Sequence, residues 1–410
     1  MMTTTTFATD PGGLIGGVDT HADTHTLAIL TANGGVLCTE TFPATTAGYD
    51  QMITTLNDAG QVATIGVEGT NSYGAGLTRA LTRAGFTVRE VLRPTRRVRR
   101  MDGKSDPVDA IAAGRSILAG VGVSEAKDTT TPAEQLRFLL VARDLLINTT
   151  RAISNSLQSL LVTAPQPLRE QYQGLSTRAL IARLAACRPG TDITDVTSAA
   201  KYTLKHLAQA YVDAQERAEE LKGQMQMILK THYPDLLAVF GVGAVVAAQL
   251  VVTIGGNPHR IRNEAAFASL CGVAPLPASS GKTTRHRLNR GGDRRGNAAL
   301  HRIVLVRMQR DQRTREYLAR RTKEGKSKRE IMRCLKRAIA REIYRVLTRP
   351  HATQAQATVD LTLLREARGL TLTDVAHALG TWPARISDIE KHRRPLPALR
   401  QLYETWLLAG

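Results

Sequence analysis

An α/β domain at the N-terminus followed by an all-α remainder is the fold class that this 410-residue sequence predicts. Up to about residue 120, short apolar runs with strand character alternate with amphipathic helical stretches. Beyond that point helical periodicity takes over, first in two very long runs and then in shorter basic ones. Strands are expected near 14–20, 26–31, 35–42, 62–68 and 87–92, with helices near 47–59, 73–84 and 107–118; residues 1–13 read as a loose tail. From 132 to 231 the runs Ala133 to Leu161 and Ala199 to Lys230 are long enough for an antiparallel coiled-coil-like pair around a shorter helix at 176–186. A stretch at 236–250 reads as helix, Phe-Gly-Val-Gly turn and small-residue helix, and basic helices are expected at 297–311, 314–323 and 328–348.

Four carboxylates stand at the ends of the early elements. Asp19 closes the run Leu14 to Val18, Glu68 closes Val62 to Val67, and Asp106 and Asp109 lie three residues apart where a helix begins, so both can face one side. Three strands, a helix, then strand–helix alternation is the order of a ribonuclease-H-like (RuvC-like) domain, and hard cations need oxygen ligands held by such rigid elements. Each residue has a plainer reading. Asp106 before Pro107 is also a good helix N-cap, Glu68 before Gly-Thr a solvated strand end, and Asp19 a turn residue. His21, Asp23 and His25 read as hairpin side chains facing water and stand outside the site.

The formal charge of +19 is concentrated. Between Ser279 and Arg349 there are 23 Lys and Arg against 6 Asp and Glu, a net +17, which attracts a polyanion and makes its binding salt dependent. A second basic run, which includes Arg96, Arg97, Arg99, Arg100 and Lys104, leads into the Asp106/Asp109 pair. Nucleic acid is the expected partner, and phosphate contacts are expected from these residues and from Lys282, Arg285, Arg287, Arg290, Arg294 and Arg295. Within the same segment, Ser279-Ser280-Gly281 places a hydroxyl nucleophile in a loop rich in cations, although most such triplets are only turns. No apolar run reaches membrane-spanning length, no signal peptide opens the chain, and the four scattered cysteines show no metal or redox pairing; a cytoplasmic protein is expected.

After a polar connector at 350–357, four short helices are expected over 361–368, 371–379, 382–391 and 398–408. Thr371 and Thr381 are placed to cap the second and third. This layout, Leu364-Arg365-Glu366 through Arg393-Arg394-Pro395, resembles the phage-repressor (Cro/C1-type) helix-turn-helix family, which implies Thr381, Trp382, Arg385 and Asp388 as groove-facing residues.

Over residues 14–349 the chain resembles the DEDD transposases of the insertion sequence 110 family, also called bridge-RNA-guided recombinases. The marks are Gly17-Val18-Asp19, Val67-Glu68-Gly69-Thr70, Lys104-Ser105-Asp106-Pro107-Val108-Asp109-Ala110, Phe240-Gly241-Val242-Gly243, and Ser280-Gly281 followed by Gly296-Asn297-Ala298-Ala299-Leu300. The resemblance implies a RuvC-like domain at 14–125, a helical coiled-coil-like region at 126–232, and a basic transposase domain with a helix-hairpin-helix and the catalytic serine at 233–349. The added helix-turn-helix domain at 358–410 is outside the usual family pattern. Asp19, Glu68, Asp106 and Asp109 would hold Mg²⁺ without any need for ATP. Ser280, or the adjacent Ser279, would become joined to a 5′ phosphate of donor or target DNA in a composite site of a dimer or tetramer, and a structured noncoding RNA would guide the choice of sequence. Two other readings remain: a metal-only RuvC-like nuclease acting on branched DNA, and a DNA-binding regulator without catalysis.

Overall fold

The structure, a computed structural model, describes residues 13–92, 105–190, 192–278, 286–287, 289, 291–349, 361–390 and 396–409. These fall into two compact units that divide between Thr348 and Arg349.

The first unit opens with a six-stranded mixed sheet in the order β3-β2-β1-β4-β5-β6: β1 Leu14–Thr20, β2 Thr24–Leu30, β3 Val36–Pro43, β4 Val62–Glu68, β5 Val88–Val91 and β6 Val123–Glu125. β1 pairs antiparallel with β2 and parallel with β4, which is the topology expected of a RuvC-like domain. β1 and β2 are buried almost end to end, as befits central strands, whereas β3 is exposed along most of its length and carries polar Thr39, Glu40 and Thr41 on its open edge. β6 lies outside the expected elements because three residues carry no readable period; it pairs antiparallel with β5 at the far edge.

Two layers cover the sheet. Helices α1 (Thr46–Asp58) and α2 (Ala75–Arg83) lie on one face, where Met52, Leu56, Leu77 and Leu81 pack on Val18, Leu27, Ile29, Ile65 and Val67. Helix α3 (Asp106–Ala119) lies on the other, packing Ala110, Ala113 and Ile117 against Ile15, Ala28, Leu30 and Val91. Each of the buried Val, Leu, Ile and Met side chains among them contributes roughly 1.5–3 kcal/mol.

The long runs form α4 (Pro132–Thr163) and α7 (Val196–His232), with α5 (Gln166–Tyr172) and α6 (Thr177–Ala186) between them. Leu136 and Leu140 share a core with Met225 and Leu229, while Leu157 shares one with Leu204 and Ala208, so the two long helices run antiparallel. The start of α7 lies a little before the expected Ala199. A reciprocal cap explains this: Asp195 Oδ1 accepts from Ser198 N (2.7 Å) and Ser198 Oγ accepts from Asp195 N (3.0 Å). Next come α8 (Pro234–Ala238), a turn with Gly241 at φ 87°, and the buried α9 (Ala244–Ile254). Arg307 holds this turn by donating from Nε to the Phe240 carbonyl (2.9 Å) and pairing with Glu342 through its two terminal guanidinium nitrogens. Helices α10 (Glu264–Leu270), α11 (Arg294–Arg310), α12 (Gln312–Lys323) and α13 (Lys328–Thr348) complete the unit. Asn257 ties the sheet edge to this helical part. Its amide donates to Glu125 Oε1 (2.9 Å) and the Ala126 carbonyl (2.8 Å), and its Oδ1 accepts from Asp128 N (3.0 Å). Among the described residues no helix is long and apolar enough to cross a membrane.

The second unit contains α14 (Leu361–Ala367), α15 (Leu372–Ala378), α16 (Pro383–Glu390) and α17 (Pro397–Ala409), packed around Leu361, Val375, Ile386, Ile389, Tyr403 and Leu407. Thr371 caps α15 as expected, in a reciprocal arrangement with Asp374. Thr381 does not cap α16: the Trp382 carbonyl accepts from Arg385 N and Ile386 N, and Thr381 Oγ1 is buried without a partner among the described residues. At the centre of this unit Arg365 forms a two-armed pair with Glu390 (2.8 and 3.2 Å), and Tyr403 Oη donates to Glu390 (2.8 Å). Burial acts to raise the Glu390 pKa, but the hydrogen bonds from Arg365 and Tyr403 outweigh it and hold the carboxyl below its ordinary range. A carboxylate with a depressed folded-state pKa lends stability above its unfolded pKa, and that stability is lost as pH falls through the folded value. Arg365→Met leaves Glu390 buried and charged without its cation, only hydroxyl donors remaining, so the tail is expected to lose about 3–5 kcal/mol. Both tryptophans of the chain, Trp382 and Trp406, lie in this unit, so tryptophan fluorescence in the full-length protein reads its unfolding alone. An unchanged fluorescence transition at neutral pH would remove the pair from the tail's stability.

Candidate active site

Glycine sets the geometry of the site. A Cβ on Gly17 would lie 2.2 Å from the Ala110 carbonyl oxygen and 2.3 Å from Gly114 N, so α3 sits backbone to backbone on β1. Side chains alternate along a strand, so Asp19 points to the same face as Gly17, toward the first turn of α3. Val18 pairs with Val67 in the parallel register, which makes Asp19 and Glu68 the next residues along neighbouring strands. Glu68 shares the phase of Gly66, whose own missing Cβ faces Ile117 and Ala113 of α3. Thr20 Oγ1 donates to the Glu68 carbonyl (2.8 Å) and locks the two strand ends together.

All four expected carboxylates therefore lie at one end of the sheet, on one face. Asp19 is 2% exposed and Asp109 is buried in the first turn of α3, while Glu68 is half-buried and Asp106 exposed. The helix N-cap is Ser105, not Asp106; Asp106 is the first helical residue, and its carboxylate turns toward β1. Burial pushes the Asp19 carboxyl above its ordinary range, Asp109 and Asp106 push it the same way, and His21 opposes them.

His21 is the residue that the sequence reading left out. Its Nε2 lies 3.0 Å from Asp19 Oδ2 and 3.3 Å from Asp106 Oδ1, and one ligand atom of each of the three side chains falls within 4.8 Å of the others. The signal was available, since His21 follows Asp19 by two residues and alternation puts both on one side of the strand. Its neighbours behave differently. Asp23 is exposed, whereas His25 is wholly buried, stacked on Tyr49 at 5.7 Å, and burial holds its pKa below the ordinary histidine range. Asp19 and Asp106 converge here with one imidazole among the described residues, a donor set that suits a divalent cation, whereas Glu68 and Asp109 fall outside this three-residue group.

The expected nucleic-acid contacts fall into two groups. Arg287, in a short strand β8 (His286–Arg287) paired with β7 (Leu276–Pro277), is exposed, as are Arg294 and Arg295 in the first turn of α11. Cations in a helix's first turn oppose its dipole; Arg295 pairs with Asp144 of α4 (3.6 Å), and Asp293 caps the helix by accepting from Arg295 N (2.8 Å). Arg96, Arg97, Arg99, Arg100, Lys104, Ser279, Ser280, Lys282, Arg285 and Arg290 lie outside the described residues. Asn297 of the Gly-Asn-Ala-Ala-Leu motif has a packing role: its amide donates to the Cys271 (2.9 Å) and Gly272 (3.2 Å) carbonyls, and Lys336 donates to its Oδ1 (3.0 Å). In the second unit Trp382 and Arg385 are exposed, and Asp388 is half-buried on α16. A cavity of about 610 Å³ beside Arg79, Arg83 and Lys127 lies toward the end of β5 away from Glu68 and contains none of the four carboxylates.

Comparison with known proteins agrees with this geometry. Residues 16–164 match a transposase model for the DEDD domain of IS110 elements, and residues 234–319 match the model "Transposase IS116/IS110/IS902 family"; together they span more than half of the chain. A search of curated proteins finds no match. The DEDD domain implies a divalent-metal site and the family implies DNA as substrate, which agrees with the group formed by Asp19, His21 and Asp106. The chain belongs to the IS116/IS110/IS902 family of transposases, enzymes that act on DNA.

Proposed function

We propose that the protein cleaves and exchanges DNA strands through a covalent 5′-phosphoserine, with Asp19, Glu68, Asp106 and Asp109 as the Mg²⁺ ligands and Ser280, or the adjacent Ser279, as the nucleophile. The observation that carries this reading is the convergence of the carboxylate ends of β1, β4 and α3 in a chain whose second matched region holds the serine and its cations. The serine Oγ attacks phosphorus, the P–O3′ bond breaks, and a free 3′-OH leaves. A 3′-OH from the other duplex then attacks the phosphoserine, which releases the serine and rejoins DNA without ATP. Mg²⁺ held by these carboxylates would supply charge stabilisation to the phosphodiester. Asp19 and Glu68, on paired strands, fix the ligand positions, and the arginines of the 279–349 segment hold the backbone.

In this reading the domains are those at 14–125, 126–232, 233–349 and 358–410. A structured noncoding RNA pairs with donor and target DNA, the serine of one protomer reaches the carboxylates of another in a dimer or tetramer, and Thr381, Trp382, Arg385 and Asp388 of the tail contact DNA as a helix-turn-helix. The test is a trapping assay with end-labelled donor and target DNA, Mg²⁺ and the element's flanking transcript, run on denaturing gels. A protein-linked band lost in Ser280→Ala but not in Ser279→Ala is expected. The reverse pattern names Ser279, and cleaved ends with no linked band in the wild-type protein would replace this reading by a metal-only nuclease.

A further inference from the structure

We infer that His21 is a nitrogen ligand of the ion held by Asp19 and Asp106, which makes the centre a mixed nitrogen–oxygen site in place of an all-carboxylate one. The inference rests on the proposed role of the carboxylates and adds to it a residue that the DEDD pattern does not contain.

The geometry is that of a coordination shell. Ligands at about 2.1 Å from an ion and at right angles to each other are about 3.0 Å apart. His21 Nε2 stands 3.0 Å from Asp19 Oδ2 and 3.3 Å from Asp106 Oδ1, so one ion reaches all three atoms with only small movements. His21 is also held in place. Its backbone N–H donates to the Thr24 carbonyl (2.9 Å), which closes the β1–β2 hairpin and sets the ring beside the strand end. In the metal-free protein the 3.0 Å contact is a hydrogen bond between His21 Nε2 and the buried Asp19 carboxylate, and an ion would take the place of its proton. The outer sides of His21 and Asp106 are about half exposed (44% and 50%), which leaves the open positions that water or a phosphate oxygen needs. An imidazole ligand raises affinity for transition ions more than for Mg²⁺, which prefers oxygen. His21 therefore shifts the selectivity of the centre away from Mg²⁺ and toward transition ions, with Mn²⁺ as the paramagnetic probe that reports the nitrogen ligand.

The test uses the full-length protein with MnCl₂ as the only added ion and reads the bound Mn²⁺ by electron spin-echo modulation. A ¹⁴N coupling is expected in the wild-type protein and is expected to vanish in His21→Gln with Mn²⁺ still bound. Mn²⁺ affinity should fall by about tenfold in that variant, and Mg²⁺ affinity, measured by competition, should fall less. Circular dichroism confirms the fold of each variant. Bound Mn²⁺ without nitrogen coupling, or a coupling that survives in His21→Gln, overturns the inference. The companion variant Asp19→Asn separates the two levels: release of the ion in that variant leaves the carboxylate reading standing whatever His21 does, whereas retention of Mn²⁺ there overturns both.

Discussion

Asp19→Asn is expected to reduce strand cleavage by at least about a hundredfold while leaving DNA binding intact and raising thermal stability. The amide has nearly the shape of the carboxylate and can still hydrogen-bond to His21, so the local fold is kept; what is lost is the negative charge that an ion needs. The stability gain follows from the same burial that suits the site to a cation. Asp19 has a folded-state pKa raised by burial and by Asp109 and Asp106, so the fold favours its protonated form. A raised folded-state pKa means that stability is fullest at low pH and declines as pH rises through the folded value; at neutral pH the charged carboxylate destabilises the metal-free protein. The neutral amide removes that penalty. Cleavage of end-labelled DNA, gel-shift titration and a melting curve without divalent ions check the three parts. A variant that cleaves normally removes Asp19 from the chemistry. A lower melting temperature, in turn, would show that the carboxylate is a structural element whose charge is already compensated.

Gly17→Ala is expected to disrupt the site and its supporting layer together, at a cost of about 3 kcal/mol or more. The added methyl would meet backbone atoms, the Ala110 carbonyl oxygen at 2.2 Å and Gly114 N and Cα at 2.3 and 2.8 Å, so no rotamer change relieves it. Helix α3 must back away from β1. That movement opens the layer formed by Ile15, Ala28, Leu30, Ala110, Ala113 and Ile117, and it carries Asp106 and Asp109 away from Asp19. Gly223→Ala is the control, because Gly223 lies inside α7 with open space where its Cβ would stand; there alanine should stabilise by up to about 1 kcal/mol through helix propensity. Urea titration monitored by far-ultraviolet circular dichroism compares the two. Equal effects would mean that the close approach of β1 and α3 is not what holds the site.

Much of this molecule is legible in local pattern. The order of strands and helices, the position of Asp19, Glu68, Asp106 and Asp109 at element ends, the long helical pair and the concentration of charge after Ser279 all come from periodicity, turn chemistry and composition, which depend only on near neighbours in the chain. Short-range pattern failed where an element is too brief or a partner too distant. Three-residue β6 carries no period, and its pairing with β5 depends on the returning chain that follows α3. Arg365, an ordinary helix-surface residue by its spacing, is buried because Glu390 and Tyr403 arrive from two other helices. The three polar residues of the β1–β2 hairpin show the limit most clearly. His21, Asp23 and His25 look alike in sequence, yet one reaches the carboxylates, one faces water and one lies in the core beside Tyr49. Alternation tells which residues share a side of a strand; it does not tell what covers that side. That was decided by the packing of α3 on Gly17 and of α1 on the opposite face. The sequence by itself determined which groups sit at the strand ends, and the tertiary structure decided which of them meet, because a contact is a property of two surfaces and the chain states only one at a time.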